Sequence, residues 1–331
     1  MNNSLSKNAN GKYIAAAGSA LVDMCLIESD DFLQVTGAPK GGMTLVDGHT
    51  IKQILSNTTK SPVIVPGGSA CNTILGIGKL GGQARFIGKL GNDELGSKFL
   101  QGLINHNVEP VILKSDSPTG HVLSIITPDA QRSMFTYLGA SSETRPEEIT
   151  SDLFSNCALV HIEGYLLFNK DLMTATLKAA KENNALVSLD LASFTVVESA
   201  RDFIEEICTE YVDILIANED EARTFTGCDD EQKALDKLSQ KADIAVLKVG
   251  KRGSFIAHKN NRIKIDPVGN CDAVDTTGAG DLWAAGFLYG LFNGFSLEKC
   301  GKLGSCCGYE VCQVIGATIP DEGWDRIKQI I

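Results

Sequence analysis

From residue 158 onward the chain alternates without a break between short runs rich in Val, Ile and Leu and longer stretches of helical character. ALVHIEG is followed by a predicted helix over 170–184, ALVSLDLA by one near 198–210, DILIANE by helices to about 241, and then comes IAVLKVG. Strands covered on both faces read as continuous apolar runs, and parallel neighbours are joined by crossovers of a dozen or more residues, usually helices. The pattern predicts an α/β fold with a doubly wound, mostly parallel sheet.

The first half of the chain departs from that alternation. YIAAAG, GMTLVD, HVLSIITP and RSMFTYLG are strand-like, and the last two flank Asp129 and Ala130 as the arms of a hairpin would. They predict a small β-sheet inserted into the core, built from discontinuous segments near 20–48 and 115–140. Ligands of open α/β sheets bind outside the carboxyl ends of the strands, so a sheet placed there acts as a lid that excludes water. Residues 1–12 read as a polar, disordered lead and 13–331 as one domain.

Composition narrows the function classes. With 43% hydrophobic and 21% charged residues, and no apolar run near the roughly 18 residues of a membrane span, the chain reads as soluble. MNNSLSKNANGKY lacks the apolar segment of a secretory signal, which points to the cytoplasm. A net charge of -11 opposes nucleic acid and anionic lipid, leaving small molecules as the expected partners. The ten cysteines include no CxxC pair and read as buried free thiols. The edge of the small sheet fits either a monomer or a homodimer formed through the lid.

The chemistry-bearing strings are rich in glycine. In DTTGAGD, residues 275–281, Gly278, Ala279 and Gly280 present backbone N–H groups at the start of an apolar helix, LWAAGFLYGLF, whose dipole favours negative charge. Such a turn is an anion hole. Asp281 would repel the anion unless it does chemistry, and a general base fits: it takes the proton of a hydroxyl that attacks a phosphoryl group held by the amides. PGGSACNT, 66–73, opens another helix; Gly67 and Gly68 allow close approach to a ligand, and Asn72 can donate to and accept from a hydroxyl. GSALVD, 18–23, ends the first strand with Asp23, a carboxylate suited to a vicinal diol. NEDE, 218–221, puts Asn218 and Glu221 on one helical turn, where they can hold water around Mg²⁺. KVGKRG, 248–253, follows a strand and offers the glycines Gly250 and Gly253 to a nucleotide. GIGKLG, 76–81, matches GxGxxG, but a helix precedes it and a strand follows, the reverse of a dinucleotide site; a helix end with a left-handed cap at Gly81 or Gly82 fits better.

Taken in order, these strings resemble the ribokinase family, the PfkB-type carbohydrate kinases, over residues 13 to 320. GSALVD, GGSACNT, RSMFTYLGAS, HIEGYLL, NEDEA and DTTGAGD look most like adenosine kinase-like members. The resemblance implies a ribokinase-like fold and transfer of the γ-phosphoryl group of ATP, with Mg²⁺, to a primary alcohol of a sugar or nucleoside. It makes Asp281 the base and Gly278, Ala279 and Gly280 the γ-phosphate hole. It assigns Ser19, Asp23, Gly67, Gly68, Asn72 and Tyr165 to the acceptor. Arg132 would reach the transferred phosphate, and Asn218, Glu221, Lys248, Gly250, Gly253 and Ser305 would take the Mg-nucleotide. Asp275 stands where some members hold a monovalent cation such as K⁺. Ser69 and Tyr165 stand where ribokinase-like members tend to carry Lys and Glu, which favours a purine ribonucleoside phosphorylated at its 5′ hydroxyl. Ser19 replaces the Asn usual in adenosine kinases, so a free-sugar kinase stays open as an alternative, as does a ligand-binding regulatory protein without turnover.

Overall fold

The computed structural model describes residues 12–38, 40–129, 131–269 and 272–331. Residues 1–11 of the expected lead, and the hairpin residue Ala130, lie outside the described residues.

Fourteen strands are described: β1 Tyr13–Ala17, β2 Leu21–Ile27, β3 Met43–Leu45, β4 Val63–Gly67, β5 Ala84–Gly91, β6 Val108–Ser115, β7 Gly120–Ile126, β8 Arg132–Tyr137, β9 Cys157–Glu163, β10 Leu186–Asp190, β11 Ile214–Asn218, β12 Ile244–Lys248, β13 Ser254–His258 and β14 Asn261–Ile265. Nine form one sheet in the order β14-β13-β12-β11-β10-β9-β1-β5-β6. From β12 to β6 every pairing is parallel, and β13 and β14 add an antiparallel edge.

Both faces of this sheet are covered, as the continuous apolar runs predict. Ile14 and Ala16 of β1, with Ile214, Ile216, Ile244 and Val246, face a core built on the helices Ser69–Lys79, Ala279–Phe292 and Leu297–Val311. The alternate residues Ala15, Ala17, Leu215, Ala217, Ala245 and Leu247 face the helices Lys170–Glu182, Phe194–Glu210, Glu219–Thr226 and Glu231–Leu238. The helix expected near 198–210 starts earlier, because Ser193 caps it, and it is kinked at Ala200. Ala279–Phe292 is apolar on every side and ten of its residues are buried, so the DTTGAGD string leads into a helix packed in the core. The nine described cysteines are free thiols. No described helix is long and apolar enough to cross a membrane.

The smaller sheet has the order β3-β8-β7-β2-β4. One assignment differs from the sequence reading. YIAAAG is not part of it: β1 lies between β5 and β9 inside the large sheet. The strand before GGSACNT, β4, pairs antiparallel with β2. Leu26, Leu123, Ile125 and Phe135 of one face pack on Leu33, Ile51 and Ile54 of the helices Asp30–Val35 and Gly48–Ser56. The other face turns towards the carboxyl ends of the large sheet. GIGKLG closes the helix Ser69–Lys79, with Gly81 in the left-handed region at φ +91° and the Gly82 amide donating to the Ile77 carbonyl at 3.0 Å.

Candidate active site

A cleft of about 660 Å³ lies between the two sheets. It is lined at its floor by residues at or just beyond the carboxyl ends of five parallel strands: Gly18 and Ser19 after β1, Glu163 of β9, Asp190 of β10, Asn218 of β11 and Lys248 of β12. This is where an open α/β sheet binds ligands, because the strand ends leave backbone groups and loops free to converge.

Asp281 stands in the first turn of Ala279–Phe292 and opens on the cleft. Gly278 before it takes φ +71°, a turn that a side chain resists. The Ala279 amide is spent on the Thr276 carbonyl at 3.2 Å, whereas the next amides of a first helical turn have no intrahelical acceptor. A Cβ placed on Gly280 would lie 3.0 Å from Lys248 Nζ, so an ammonium stands against the anion turn. The Asp281 carboxylate accepts from Ser69 Oγ at 2.7 Å and from Asn72 Nδ2 at 2.9 Å. Burial pushes its carboxyl above the ordinary aspartate value, against the pull of those two hydrogen bonds. Asn72, expected to hold an acceptor hydroxyl, thus gives one N–H to the Asp281 carboxylate and keeps its second N–H and its carbonyl oxygen for a hydroxyl.

Lys248 pairs with Asp190 at 2.8 Å, both nearly enclosed. Burial disfavours the Asp190 carboxylate, yet the Lys248 ammonium outweighs it and holds the group below the usual range. Burial likewise works against the ammonium, but Asp190 and then Glu221 hold Lys248 above an ordinary lysine. Glu221 forms a capping box with Asn218: the Asn218 amide donates to Oε2 at 2.8 Å, Asn218 Nδ2 to Oε1 at 2.6 Å, and the Glu221 amide to Asn218 Oδ1 at 2.9 Å. Burial, with Asp190 next, raises Glu221 to about 7. Asp190, Glu221 and Asp281 therefore share one ammonium, a surplus of negative charge that suits a divalent cation. Among the described residues no three His, Cys, Asp or Glu side chains are placed to ligate a metal. A metal here would be held through water and nucleotide phosphates, as is usual for Mg²⁺.

On the acceptor side, Asp23 of β2 faces the cleft with its carboxylate against Gly67: a Cβ there would fall 2.2 Å from Asp23 Cγ. Burial raises Asp23 to about 6, although Arg132 pulls it down; Asp281 adds to the rise. Gly68, at φ +93°, caps the helix Ser69–Lys79, and a Cβ on it would meet the Ser19 carbonyl oxygen at 2.5 Å. Cross-strand pairing aligns Asp23, Val122, Thr136 and Leu45 on one face of the small sheet. Met43 and Met134 pair beside them. Tyr165 and Phe168 face them from the large domain.

Of the residues singled out from sequence, Ser19, Asp23, Gly68, Asn72, Arg132, Tyr165, Asn218, Glu221, Lys248, Gly278, Ala279, Gly280 and Asp281 line this one cleft. Gly67 supports Asp23 from behind. Gly250, Gly253, Ser305 and Asp275 lie outside the lining. Gly250 and Gly253 shape the turn between β12 and β13 with positive φ, and Ser305 is buried in the helix Leu297–Val311. Asp275 is enclosed and acts as a staple: Oδ1 accepts from the Thr277 amide at 2.9 Å and from Thr277 Oγ1 at 2.7 Å, and Oδ2 from the Gly316 amide at 2.8 Å. Sequence reasoning missed Asp190 and Glu163. Their signal was available, since each is the acidic last residue of a predicted parallel strand.

A buried carboxylate beside an anion turn, a lysine at that turn and a pocket under a small sheet are the features a phosphotransferase acting on a hydroxyl group requires. The sequence profile of the pfkB family carbohydrate kinases matches residues 43–323, and the chain belongs to that family. It is similar to a probable fructokinase of Arabidopsis thaliana, 30% identical over 237 residues, which covers 67% of this chain and 72% of the relative. Among solved structures it is similar to a probable sugar kinase from Rhizobium etli, with a TM-score of 0.89, 31% identity, and 97% and 99% of the two chains covered. The adenosine kinase from Sinorhizobium meliloti gives a TM-score of 0.88 at 31% identity over the same shares. Kinases of this family use ATP and a divalent metal, and the carboxylates Asp190, Glu221 and Asp281 around one lysine fit the metal.

Proposed function

We propose that this kinase moves the γ-phosphoryl group of Mg-ATP to the 5′ hydroxyl of a purine ribonucleoside of the adenosine type. The observation that carries the reading is the character of the acceptor end of the cleft. Asp23 supplies one carboxylate for a ribose diol, and beyond it the walls are mainly apolar: Met43, Leu45, Val122 and Met134 on one side, with the Thr136 hydroxyl among them, and Tyr165 and Phe168 on the other. A flat base fits between such walls, and Tyr165 can stack on it. A free sugar would leave its hydroxyls facing methyl and ring carbons unpaired, which costs about 1–3 kcal/mol each. Ser69 adds no charge for a sugar to use, since its hydroxyl is directed to Asp281. Similarity to the adenosine kinase from Sinorhizobium meliloti supports the same acceptor class.

The bound Mg-nucleotide supplies the electrophilic phosphorus and part of the charge that offsets its oxygens. Asp281 orients the attacking hydroxyl and takes its proton. The Gly280 and Asp281 amides, together with Lys248, receive the negative charge of the transferred group, and Arg132 adds a second cation from the small sheet. Closure of that sheet over the acceptor keeps water from competing for the phosphoryl group.

The test is ADP release by the purified protein with Mg-ATP against adenosine, inosine, guanosine, ribose and fructose. Turnover on purine nucleosides alone is expected, and Asp281→Asn should lower kcat by about 10²- to 10⁴-fold with nucleotide binding retained. Turnover confined to ribose or fructose would overturn the acceptor assignment, and a near-normal rate in Asp281→Asn would overturn the base.

A further inference from the structure

Glu163 is a buried carboxylate, 1% exposed, for which the chemistry above has no use. Two backbone amides from separate strings donate to it: Ser19 N–H to Oε1 at 2.8 Å and Ala70 N–H to Oε2 at 2.9 Å, and the Ser19 hydroxyl also bonds it. Ser19 belongs to the turn that leads from β1 into the small sheet, and Ala70 to the first turn of Ser69–Lys79. That same turn carries Ser69 and Asn72, whose side chains hold the two oxygens of Asp281. There is no slack around the carboxylate. A Cβ on Gly18 would lie 2.5 Å from Glu163 Cδ and 2.7 Å from Ala70 Cβ. Burial pushes the Glu163 carboxyl up while the Ala70 and Ser19 amides and the Ser19 hydroxyl pull it down, and the Asp281 carboxylate adds to the rise. An apolar side chain would fill this space without the cost of a desolvated charge next to another of the same sign.

We infer that Glu163 is a positioning residue: it bolts the acceptor turn at Ser19 to the helix start at Ala70, so that Ser69 and Asn72 hold Asp281 in line with the acceptor hydroxyl. The inference rests on Asp281 being the base of the proposed reaction. Its failure is separable, because an Asp281→Asn variant without activity beside a normal Glu163→Gln variant removes only the role of Glu163.

The experiment is steady-state kinetics of Glu163→Gln, Ser69→Ala and the double variant, with adenosine and ATP each varied, on protein whose folding is verified by circular dichroism. The Gln oxygen can accept from one amide, while its NH₂ must face the other. Acceptor kcat/KM is expected to fall about 10- to 100-fold, the size of a lost hydrogen bond to a charged group, with the KM for ATP within twofold of the parent. The double variant should lose clearly less than the product of the single losses, because both act through the same turn. Glu163→Asp, which keeps the charge but withdraws it by one methylene, provides the same readout if Glu163→Gln does not fold. An acceptor kcat/KM within twofold of the parent, equal losses in the acceptor and ATP parameters, or fully multiplicative effects in the double variant would each overturn the inference.

Discussion

Replacing Lys248 by Met separates what the lysine does for stability from what it does for catalysis. The Lys248 and Asp190 side chains are only 14% and 7% exposed and lie 2.8 Å apart. Removing the cation leaves Asp190 with a hydrogen bond from the Ala192 amide at 3.0 Å and no positive charge beside it, while Glu221, already raised to about 7, is raised further. Breaking one partner out of a buried pair costs about 3–5 kcal/mol, most of it the penalty of the stranded charge. For a chain of 331 residues, unfolding entropy near the midpoint is about 0.7 kcal/mol per kelvin, so the expected fall in Tm is about 4–7 °C at pH 7.

The pH dependence has a definite sign. Asp190 is held below its ordinary value, so its share of stability is present above about pH 4 and is lost as pH falls through the depressed folded value. Lys248 is held above its ordinary value, so its share is present below about pH 10.4 and is lost only as pH rises through the raised one. The pair is therefore constant between those limits in the parent. In Lys248→Met the buried Asp190 has lost the cation that kept it low, its folded value rises, and protonation relieves it. The Tm deficit should shrink as pH is lowered from 7 towards 5. Lys248→Met/Asp190→Asn, which removes both charges, should recover at least half of the deficit at pH 7 while kcat stays about 10²- to 10³-fold low, since no ammonium then stands at Gly280. Thermal melts monitored by circular dichroism between pH 5 and 8, with ADP release on the same samples, measure both quantities. A single variant that melts within about 1 °C of the parent, or a deficit that does not change with pH, would refute the charge argument; recovery of turnover in the double variant would refute the catalytic one.

Two further outcomes follow from the acceptor side. Gly67→Ala would drive its Cβ into the Asp23 carboxylate, so acceptor KM should rise at least about tenfold with ATP KM unchanged, read from the same ADP assay. Because Asp23 titrates at about 6, it takes up a proton as pH falls through that value; acceptor kcat/KM should drop below pH 6, and Asp23→Asn should abolish that limb of the profile while lowering the plateau.

The contrast between what was and was not legible in the sequence follows from how the site is assembled. Thirteen of the residues singled out beforehand meet in one cleft, and each belongs to a glycine-bearing, capping or lid string whose local geometry constrains its letters. Gly278 must take a positive φ, Asn218 and Glu221 must be three apart to form a capping box, and Gly68 must clear the Ser19 carbonyl. Asp190 and Glu163 have no such local signature. Each is a single acidic letter at the end of an apolar run, and its meaning comes from its neighbours across the sheet, where the two residues lie side by side in register. One of them meets a lysine 58 residues away, the other two amides 144 and 93 residues away, and no window of sequence contains those pairs. The same reasoning accounts for β1. YIAAAG is a short apolar strand with no mark of which sheet it joins, and the sheet order that puts it between β5 and β9 is a long-range property. A parallel sheet brings the last residues of its strands to one edge whatever their separation along the chain. Once alternation has identified such a sheet, every charged or polar residue that ends one of its strands is a candidate for the site, a rule that selects Glu163, Asp190, Asn218 and Lys248 together.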